Sequence, residues 1–298
     1  MYYHYPVLLK ESVTGLNIKS SGIYVDVTYG GGGHSREILG RLKEGKLFGI
    51  DCDEDAAKNI IKDKRFVFIT GNFRFLKNYL RYHKINKVDG IIADLGVSSY
   101  FFDSIERGFS YKHNGILDMR MNQKSGPMAK DLLNNYSAES LISVFRGYGD
   151  LKNAASLANL IIACRQERKF ENTGQLIKAI SSLIPKNKEN QYLARIFQSL
   201  RIEVNNEIEN LKELLLQTID LITQGGRLTV ISYHSLEDRL VKNFIRWGNF
   251  GEGISRDIYG NYSTPFTAVN KRVIIPDYKE IKQNSRAKSA KLRIAEKN

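Results

Sequence analysis

The sequence predicts an α/β domain that is built on a parallel sheet and interrupted by an all-helical insert. In the first hundred or so residues, short apolar strand-like segments alternate with helix-like ones. Between Ser104 and Asn206 every periodic segment has helical spacing, and strand character returns at Arg227. Short apolar strands that alternate with helices are typical of a parallel sheet covered on both faces. We therefore expect a discontinuous α/β domain over 1–103 and 207–298, with a helical insert over 104–206.

Hydrophobic periodicity assigns the individual elements. The predicted strands cover 23–27, 47–50, 66–69, 88–95, 227–233 and a late segment, 269–275. The predicted helices cover 35–42, 138–146, 154–166, 174–184, 193–203 and 211–222. Thr173 is expected to cap the helix that follows it, and Gly225-Gly226 to end the last helix. The tail over 276–298 is highly basic and is left without a predicted element.

The composition points to a polyanionic partner. The 298 residues carry a formal net charge of +13, which favours nucleic acid, although a generally basic proteome would give the same excess. The two cysteines are far apart, and the five histidines lack ligand spacing, so no metal site is predicted. Neither a membrane-spanning segment nor a signal peptide is recognised, so we expect a cytoplasmic protein with no membrane partner.

A glycine run follows the first predicted strand. The run Gly30-Gly31-Gly32-Gly33 precedes His34, and Asp51 ends the next strand. Glycines there let the backbone approach a ligand, and a carboxylate at that strand end accepts hydrogen bonds from ribose hydroxyls. The pair predicts a cofactor that contains adenosine; the glycines alone would also fit a tight turn. The spacing departs from G-x-G-x-x-G, which favours S-adenosylmethionine over a nicotinamide dinucleotide.

Two further polar clusters follow predicted strands. Asp94 ends the fourth strand, with Ser98 and Ser99 just beyond it. An acid that leaves a buried strand needs a partner, whereas the two serines fit an ordinary helix cap equally well. The second cluster, 232–239, contains His234, Glu237 and Asp238. An N-cap by Ser235 is the plain alternative there.

These segments together resemble the RsmH (MraW) family of bacterial 16S ribosomal RNA cytosine-N4 methyltransferases. The resemblance runs almost end to end. It includes the glycine run with His34 and Ser35, Gly49-Ile50-Asp51, Asp94-Leu95-Gly96-Val97-Ser98-Ser99, Arg107-Gly108-Phe109-Ser110, Leu117-Asp118-Met119-Arg120-Met121, Phe197-Gln198, His234-Ser235-Leu236-Glu237-Asp238-Arg239 and the basic segment 286–293.

The resemblance implies a Rossmann-like S-adenosylmethionine-dependent methyltransferase sheet with an inserted all-helical domain. It implies methyl transfer to the exocyclic N4 of a decoding-centre cytidine, cytidine 1402, of 16S ribosomal RNA in the small ribosomal subunit. The residues that it assigns to the cofactor are Gly31, Gly32, Gly33, His34, Asp51, Phe73 and Asp94. A glutamine that contacts the cofactor in the family is replaced by Phe101, which is still expected to line the cofactor site, by ring packing instead of a hydrogen bond. The segment 189–193 also differs from the family pattern.

For this reaction we expect Asp94, Ser98, Ser99 and His234 to be catalytic. The N4 lone pair is delocalised into the ring, so an acceptor for an N4 proton would assist its attack on the methyl group. The base must also leave any stack to reach the cofactor. RNA contacts are expected from the insert, including Arg165, Arg168 and Lys169, and from the tail, whose cations are Arg286, Lys288, Lys291 and Arg293.

Three other functions remain open on the sequence. A DNA cytosine-N4 methyltransferase is the first, but no Ser/Asp-Pro-Pro-Tyr motif is present. A nicotinamide-dependent oxidoreductase would use the same first strands. A non-catalytic RNA-binding module would keep the fold without the chemistry, and Asp51 and Asp94 argue against it.

Overall fold

The computed structural model describes residues 6–97, 101, 104–251, 253 and 264–298. The chain divides into two compact units: Met1–Gly96 with Ile208–Asn298, and Val97–Glu207. We call the first the α/β unit and the second the helical unit. The first boundary lies at 96/97 and the second at 207/208, whereas the sequence places them at 103/104 and 206/207. Within the described part of the helical unit no strand is formed, apart from an isolated bridge between Ile116 and Asn172.

The α/β unit is organised around one seven-stranded sheet. Its strands are β1 Ile23–Asp26, β2 Lys46–Asp51, β3 Phe66–Thr70, β4 Val88–Asp94, β5 Ile222–Ser232, β6 Phe266–Ala268 and β7 Lys291–Lys297. The strand order is β3-β2-β1-β4-β5-β7-β6. The first five strands in this order pair in parallel, and β7 pairs antiparallel with both β5 and β6. Because β1, β2, β4 and β5 are parallel neighbours, their carboxyl ends form one continuous edge.

Eleven α-helices lie in the described residues. They are α1 Leu9–Gly15, α2 Gly33–Arg41, α3 Leu76–Tyr82, α4 Ala129–Asn135, α5 Ala138–Gly147, α6 Ala154–Glu167, α7 Thr173–Ile180, α8 Glu189–Asn205, α9 Glu207–Leu221, α10 Ser235–Trp247 and α11 Tyr278–Gln283. None of these helices combines the length and hydrophobicity needed to cross a membrane.

Both faces of the sheet are covered by apolar side chains. Along β1 and β4, alternate residues enter different clusters: Val25 and Ile91 pack with residues of α9 and α10, whereas Tyr24 and Ile92 pack with residues of α1 and α2. Successive side chains of a strand point to opposite faces of the sheet. Because both faces are buried here, apolar residues are needed at consecutive positions, and the strands are continuous apolar runs in the sequence.

The helical unit has its own apolar core, which includes Leu133, Phe145 and Leu200. Arg165 takes part in the architecture of this unit, because its Nη1 donates to the main-chain oxygens of Leu133 and Tyr136 at 2.9 and 2.8 Å. It thereby satisfies carbonyls at the end of α4. This structural contact competes with the RNA contact predicted for Arg165. The cap of α7 is Asn172, whose side chain accepts from Gln175 N, and the prediction of Thr173 as the cap is wrong.

The predicted late strand over 269–275 is wrong. The strand in this region is the short β6, and 269–275 is irregular apart from a bridge between Ile274 and Leu292. Asn270, Lys271 and Arg272 interrupt the apolar run, which leaves no strand periodicity there. The basic tail instead forms α11 and β7, in which Leu292 and Ile294 are buried on alternate positions. The tail is therefore an integral part of the sheet.

Asp238 joins α10 to β7. Its Oδ1 lies 2.7 Å from Arg293 Nε and its Oδ2 lies 3.2 Å from Lys291 Nζ. The Asp238 side chain is 14% exposed, so water screens these pairs only in part. Lys291 and Arg293, two of the cations expected to contact RNA, thus neutralise a buried carboxylate of the same unit.

We expect Asp238→Ala to lower the free energy of unfolding by about 1–3 kcal/mol, the range for hydrogen bonds to charged groups. Urea unfolding followed by circular dichroism measures the change. The control is Asp220→Ala, which removes an exposed pair with Lys77 at 2.7 Å. Exposed pairs contribute roughly 0–1 kcal/mol. Equal effects of the two substitutions would contradict the structural role of Asp238.

Candidate active site

Three strands of the α/β unit end in aspartates at the same edge of the sheet. Asp26 ends β1, Asp51 ends β2 and Asp94 ends β4. Asp26 pairs with Gly49 of β2 and with Ile92 of β4, so the three strand ends lie side by side. Ligands of open parallel sheets bind outside the carboxyl ends of the strands. This acidic edge is therefore the candidate site.

The chain turns sharply after β1. Gly30 and Gly32 have φ of 50° and 73°, in the left-handed region that glycine adopts at little cost. A Cβ added at Gly30 would have only Thr28 O within 4 Å, at 3.9 Å, so this backbone faces open space. Gly32 precedes α2 as its N-cap residue. At Gly30 the turn therefore presents backbone, and not a side chain, to anything bound at the edge.

Asp51 closes this turn. Its Oδ2 accepts a hydrogen bond from Gly30 N at 2.7 Å, and its Oδ1 accepts one from Asp53 N at 2.8 Å. Each carboxylate oxygen accepts more than one hydrogen bond, so both retain capacity for a hydroxyl donor. Burial raises the pKa of the Asp51 carboxyl to about 6, although the two backbone donors oppose the rise.

Asp26 holds the start of α2. Its Oδ2 accepts from Ser35 Oγ at 2.7 Å and its Oδ1 accepts from Thr28 N at 3.2 Å. The residue is 1% exposed, and burial raises the pKa of its carboxyl. Its contacts lie within the protein, so Asp26 shapes the edge and adds negative charge to it.

Asp94 is held by three neighbours. Its Oδ1 accepts from the Tyr233 hydroxyl at 2.8 Å, and its main-chain N donates to Thr28 Oγ1 at 2.6 Å. His34 Nδ1 lies 3.8 Å from Oδ2. Burial raises the pKa of Asp94 to about 6, and His34 and the Tyr233 hydrogen bond oppose the rise. The side chain keeps 22% of its surface exposed, so Asp94 remains reachable from the open edge.

His34 lies at the start of α2 and is 5% exposed. Its Nε2 lies 3.2 Å from Val7 O, and its Nδ1 lies 3.8 Å from Asp94 Oδ2. The ring thus links the segment before α1 with the acidic edge.

His234 lies at the start of α10. Its Nδ1 accepts from Glu237 N at 3.4 Å, and its Nε2 lies 3.2 Å from Glu237 Oε1. Glu237 Oε2 in turn accepts from Tyr233 N at 2.9 Å. This reciprocal arrangement is a capping box in which His234, and not Ser235, is the N-cap residue. The catalytic role predicted for His234 stays a prediction.

The remaining predicted residues lie in different places. Phe73 follows β3 and begins a short 3₁₀ turn, partly buried at the same edge as the other strand ends. Phe101 is 4% exposed in the core of the helical unit, where its ring stacks on Phe109 with the Arg107 guanidinium 4.4 Å above it. The expected ring packing is present, and its cofactor contact stays a prediction. Ser98 and Ser99 lie outside the described residues.

The sequence did not indicate the partners of the acids. Tyr233, Thr28 and Ser35 all contact an aspartate of the edge, yet none stood out from its local motif. The one available clue was position: Tyr233 directly follows β5, so it is close to whatever follows the neighbouring β4.

The fold and the edge define the class of protein. The strand order extends that of a nucleotide-binding sheet, with an antiparallel β7 between β5 and β6. Glycine backbone facing open space beside strand-end carboxylates fits a ligand that carries ribose hydroxyls and positive charge. These features are those of a Rossmann-like, S-adenosylmethionine-dependent methyltransferase domain.

Comparisons with known proteins give the family. The MraW methylase family matches residues 1–298. Proteins named ribosomal RNA small subunit methyltransferase H are similar throughout. The one from Christiangramia forsetii is 55% identical over 298 residues, covering 100% of this chain and 98% of the relative. The one from Bacteroides fragilis is 54% identical over 296 residues, covering 99% and 97%. The chain belongs to the MraW methylase family.

Among solved structures, an rRNA methylase from Streptococcus thermophilus aligns with a TM-score of 0.41 and 14% identity. The alignment covers 96% of this chain and 94% of that one.

We expect Asp94→Asn to stabilise the cofactor-free protein at pH 8 by about 3 kcal/mol, since the pKa rises from 3.8 to about 6 and each pKa unit corresponds to about 1.4 kcal/mol. The folded-state pKa, about 6, exceeds the usual 3.8, so ionising Asp94 costs stability as pH rises. The asparagine oxygen still accepts from Tyr233. Urea unfolding between pH 4 and pH 8 measures the difference, which shrinks as pH falls from about 6 to 4.

The matched control is Asp63→Asn. The hydrogen bond from Arg65 holds the pKa of Asp63 at about 2, so the opposite sign is expected. A variant Asp94→Asn that is less stable than the wild type at pH 8 would contradict the description of Asp94 as a carboxylate penalised by burial.

Proposed function

We propose that this protein transfers a methyl group from S-adenosylmethionine to the exocyclic N4 of cytidine 1402 in the 16S ribosomal RNA of the small subunit. The observation that carries the proposal is the position of Asp94: its carboxylate lies at the end of β4 and remains partly exposed at the acidic edge. The names of the close relatives support ribosomal RNA as the substrate. The resemblance of the motifs to cytosine-N4 methyltransferases supports the target atom.

The residues of the edge supply the binding of the cofactor. Asp51 would accept from the ribose hydroxyls, because both of its oxygens retain acceptor capacity. The backbone of Gly31, Gly32 and Gly33 and the ring of Phe73 would hold the rest of the cofactor. When bound, S-adenosylmethionine supplies an electrophilic methyl group on a positively charged sulfur. The negative charge of Asp26, Asp51 and Asp94 favours this cation at the edge.

Asp94 supplies the acceptor that the reaction needs. The N4 amine loses a proton during or after methyl transfer, and a carboxylate with a pKa of about 6 takes it up near neutral pH. The free lone pairs of Asp94 Oδ2 are the acceptor, since Tyr233 donates to Oδ1. Holding the amine in line for attack contributes roughly 7–11 kcal/mol in well-oriented reactions.

The helical unit supplies contacts to the RNA. Arg168 and Lys169 at the end of α6, and Lys178 of α7, are exposed. Phosphate contacts by such cations give affinity and position without reading the sequence. The base identity is then read at the acidic edge, where the cytosine must be presented out of any stack.

We expect Asp51→Ala to weaken S-adenosylmethionine binding at least tenfold, because hydrogen bonds to a charged acceptor contribute roughly 1.5–3 kcal/mol. Isothermal titration calorimetry measures the affinity. The control is Asp89→Ala, which removes a carboxylate that accepts from Ile23 N at 3.0 Å near the amino end of β4. If Asp51→Ala bound S-adenosylmethionine as tightly as the wild type, Asp51 would not be part of the binding site.

The function is tested by incubating the protein with S-adenosylmethionine and either naked 16S ribosomal RNA or small subunits from cells that lack it. Mass spectrometry of nuclease digests locates the methyl group. We expect N4-methylcytidine at position 1402 with the wild type and a rate at least tenfold lower with Asp94→Ala. Methylation at another position or atom, or none on either substrate, would overturn the proposal.

A further inference from the structure

Tyr233 directly follows β5 and lies against Asp94. Asp94 pairs with Ile231, two residues before Tyr233, and Leu95 N donates to Ile231 O at 2.8 Å. This pairing brings the hydroxyl of Tyr233 to the strand end of β4, where it donates to Asp94 Oδ1 at 2.8 Å. The contact therefore follows from the register of the two strands.

Both ends of Tyr233 are fixed. Its main-chain N donates to Glu237 Oε2 at 2.9 Å, and Glu237 is 3% exposed. Its ring lies beside Gly96, which has a φ of 98°. A Cβ built on Gly96 would lie 3.2 Å from Tyr233 Cδ2, so a side chain there would press on the ring. The tyrosine is thus held in one place by the capping box and by the absence of a side chain at Gly96.

Tyr233 is a donor and not a base. Burial and the nearby carboxylate of Asp94, followed by those of Glu237 and Glu280, raise the pKa of Tyr233 well above its usual 10.0. Its hydroxyl keeps its proton at any pH at which the protein works. Asp94 also faces His34 of α2, Asp26 of β1 and Glu237 of α10. His34 lowers the pKa of Asp94, whereas the two acids raise it. The hydrogen bond from Tyr233 lowers the pKa as well.

We propose that Tyr233 is a positioning residue for Asp94: its hydroxyl fixes the rotamer of the carboxylate and keeps it ionised, so that Oδ2 accepts the N4 proton. This inference rests on the proposed function. In the reaction the methyl–N4 bond forms as the methyl–sulfur bond breaks, and the sulfur keeps the electron pair. The N4 proton passes to Asp94 Oδ2, and the resulting acid lies 3.8 Å from His34 Nδ1.

The substitution Tyr233→Phe tests the proposal, because it keeps the ring beside Gly96 and removes only the hydroxyl. Loss of a hydrogen bond to the ionised form raises the pKa of Asp94. We expect the acid limb of the kcat profile to move up by about half a unit to one unit, with kcat at pH 7 up to about twofold lower because a smaller fraction of Asp94 is ionised. The KM for S-adenosylmethionine should change by less than about twofold. A purely structural tyrosine would leave the acid limb in place.

The control is Tyr136→Phe in the helical unit, which removes a tyrosine–carboxylate hydrogen bond to Glu203 of 2.9 Å. It should leave the acid limb unchanged. A second measurement needs no activity: carbon-detected nuclear magnetic resonance titration of Asp94 in the cofactor-free protein should give a higher pKa in Tyr233→Phe. An unchanged acid limb, or an unchanged Asp94 titration, would overturn the inference. If the wild type transfers no methyl group but the titration shifts, the proposed function fails while the contact is retained.

Discussion

The parallel pairing of β1, β2 and β4 is the constraint on which the candidate site depends. Parallel strands expose their carboxyl ends at one edge, and the register sets Asp26 beside Gly49 and Ile92. Asp51 and Asp94 end the two flanking strands, so three carboxylates meet over a short distance. A shift of one residue in either pairing would turn an aspartate toward the opposite face of the sheet. The position of the acids is thus decided by hydrogen bonds between strands, and the chemistry of the edge follows from that position.

Such an edge is unfavourable for folding unless the acids are satisfied locally. Burial raises the pKa of Asp51 and Asp94 to about 6, which measures the penalty for ionising them. The turns that follow the strands supply the compensating donors: Gly30 N for Asp51, Thr28 N for Asp26 and the Tyr233 hydroxyl for Asp94. These donors belong to the loops that also surround the ligand-binding edge. The same hydrogen bonds therefore stabilise the fold and fix the positions of the site residues. Asp51, for example, fixes the glycine turn and is also a candidate acceptor for a ligand hydroxyl.

The sequence predicted the parts of this site that depend on local pattern. An apolar run that ends in glycines or in an aspartate is visible in the sequence, so the glycine turn, Asp51 and Asp94 were identified. Tyr233 was not, because its partner lies 139 residues away and the contact depends on the pairing of β4 with β5. The late strand was misplaced because charged residues mask the alternation of β7 over Lys291–Lys297, whereas the backbone of 269–275 bonds to β7 at Val269 and Ile274 without forming a strand. Arg165 likewise read as a surface cation, since the carbonyls that it caps are set by the packing of α4 and α6.

The charge distribution separates the two substrates of the proposed reaction. The chain as a whole has a formal net charge of +13, yet the edge at the ends of β1, β2 and β4 is acidic. An acidic edge attracts a sulfonium cation and repels phosphate. RNA affinity must therefore come from cations elsewhere, such as those exposed on α6 and α7, and the neutral base alone approaches Asp94. Lys291 and Arg293 pair with Asp238 within the α/β unit, whereas Arg286 and Lys288 of the tail are exposed, and their RNA contact stays a prediction. The acidic edge therefore suits the cofactor cation and the neutral base, and not the phosphates.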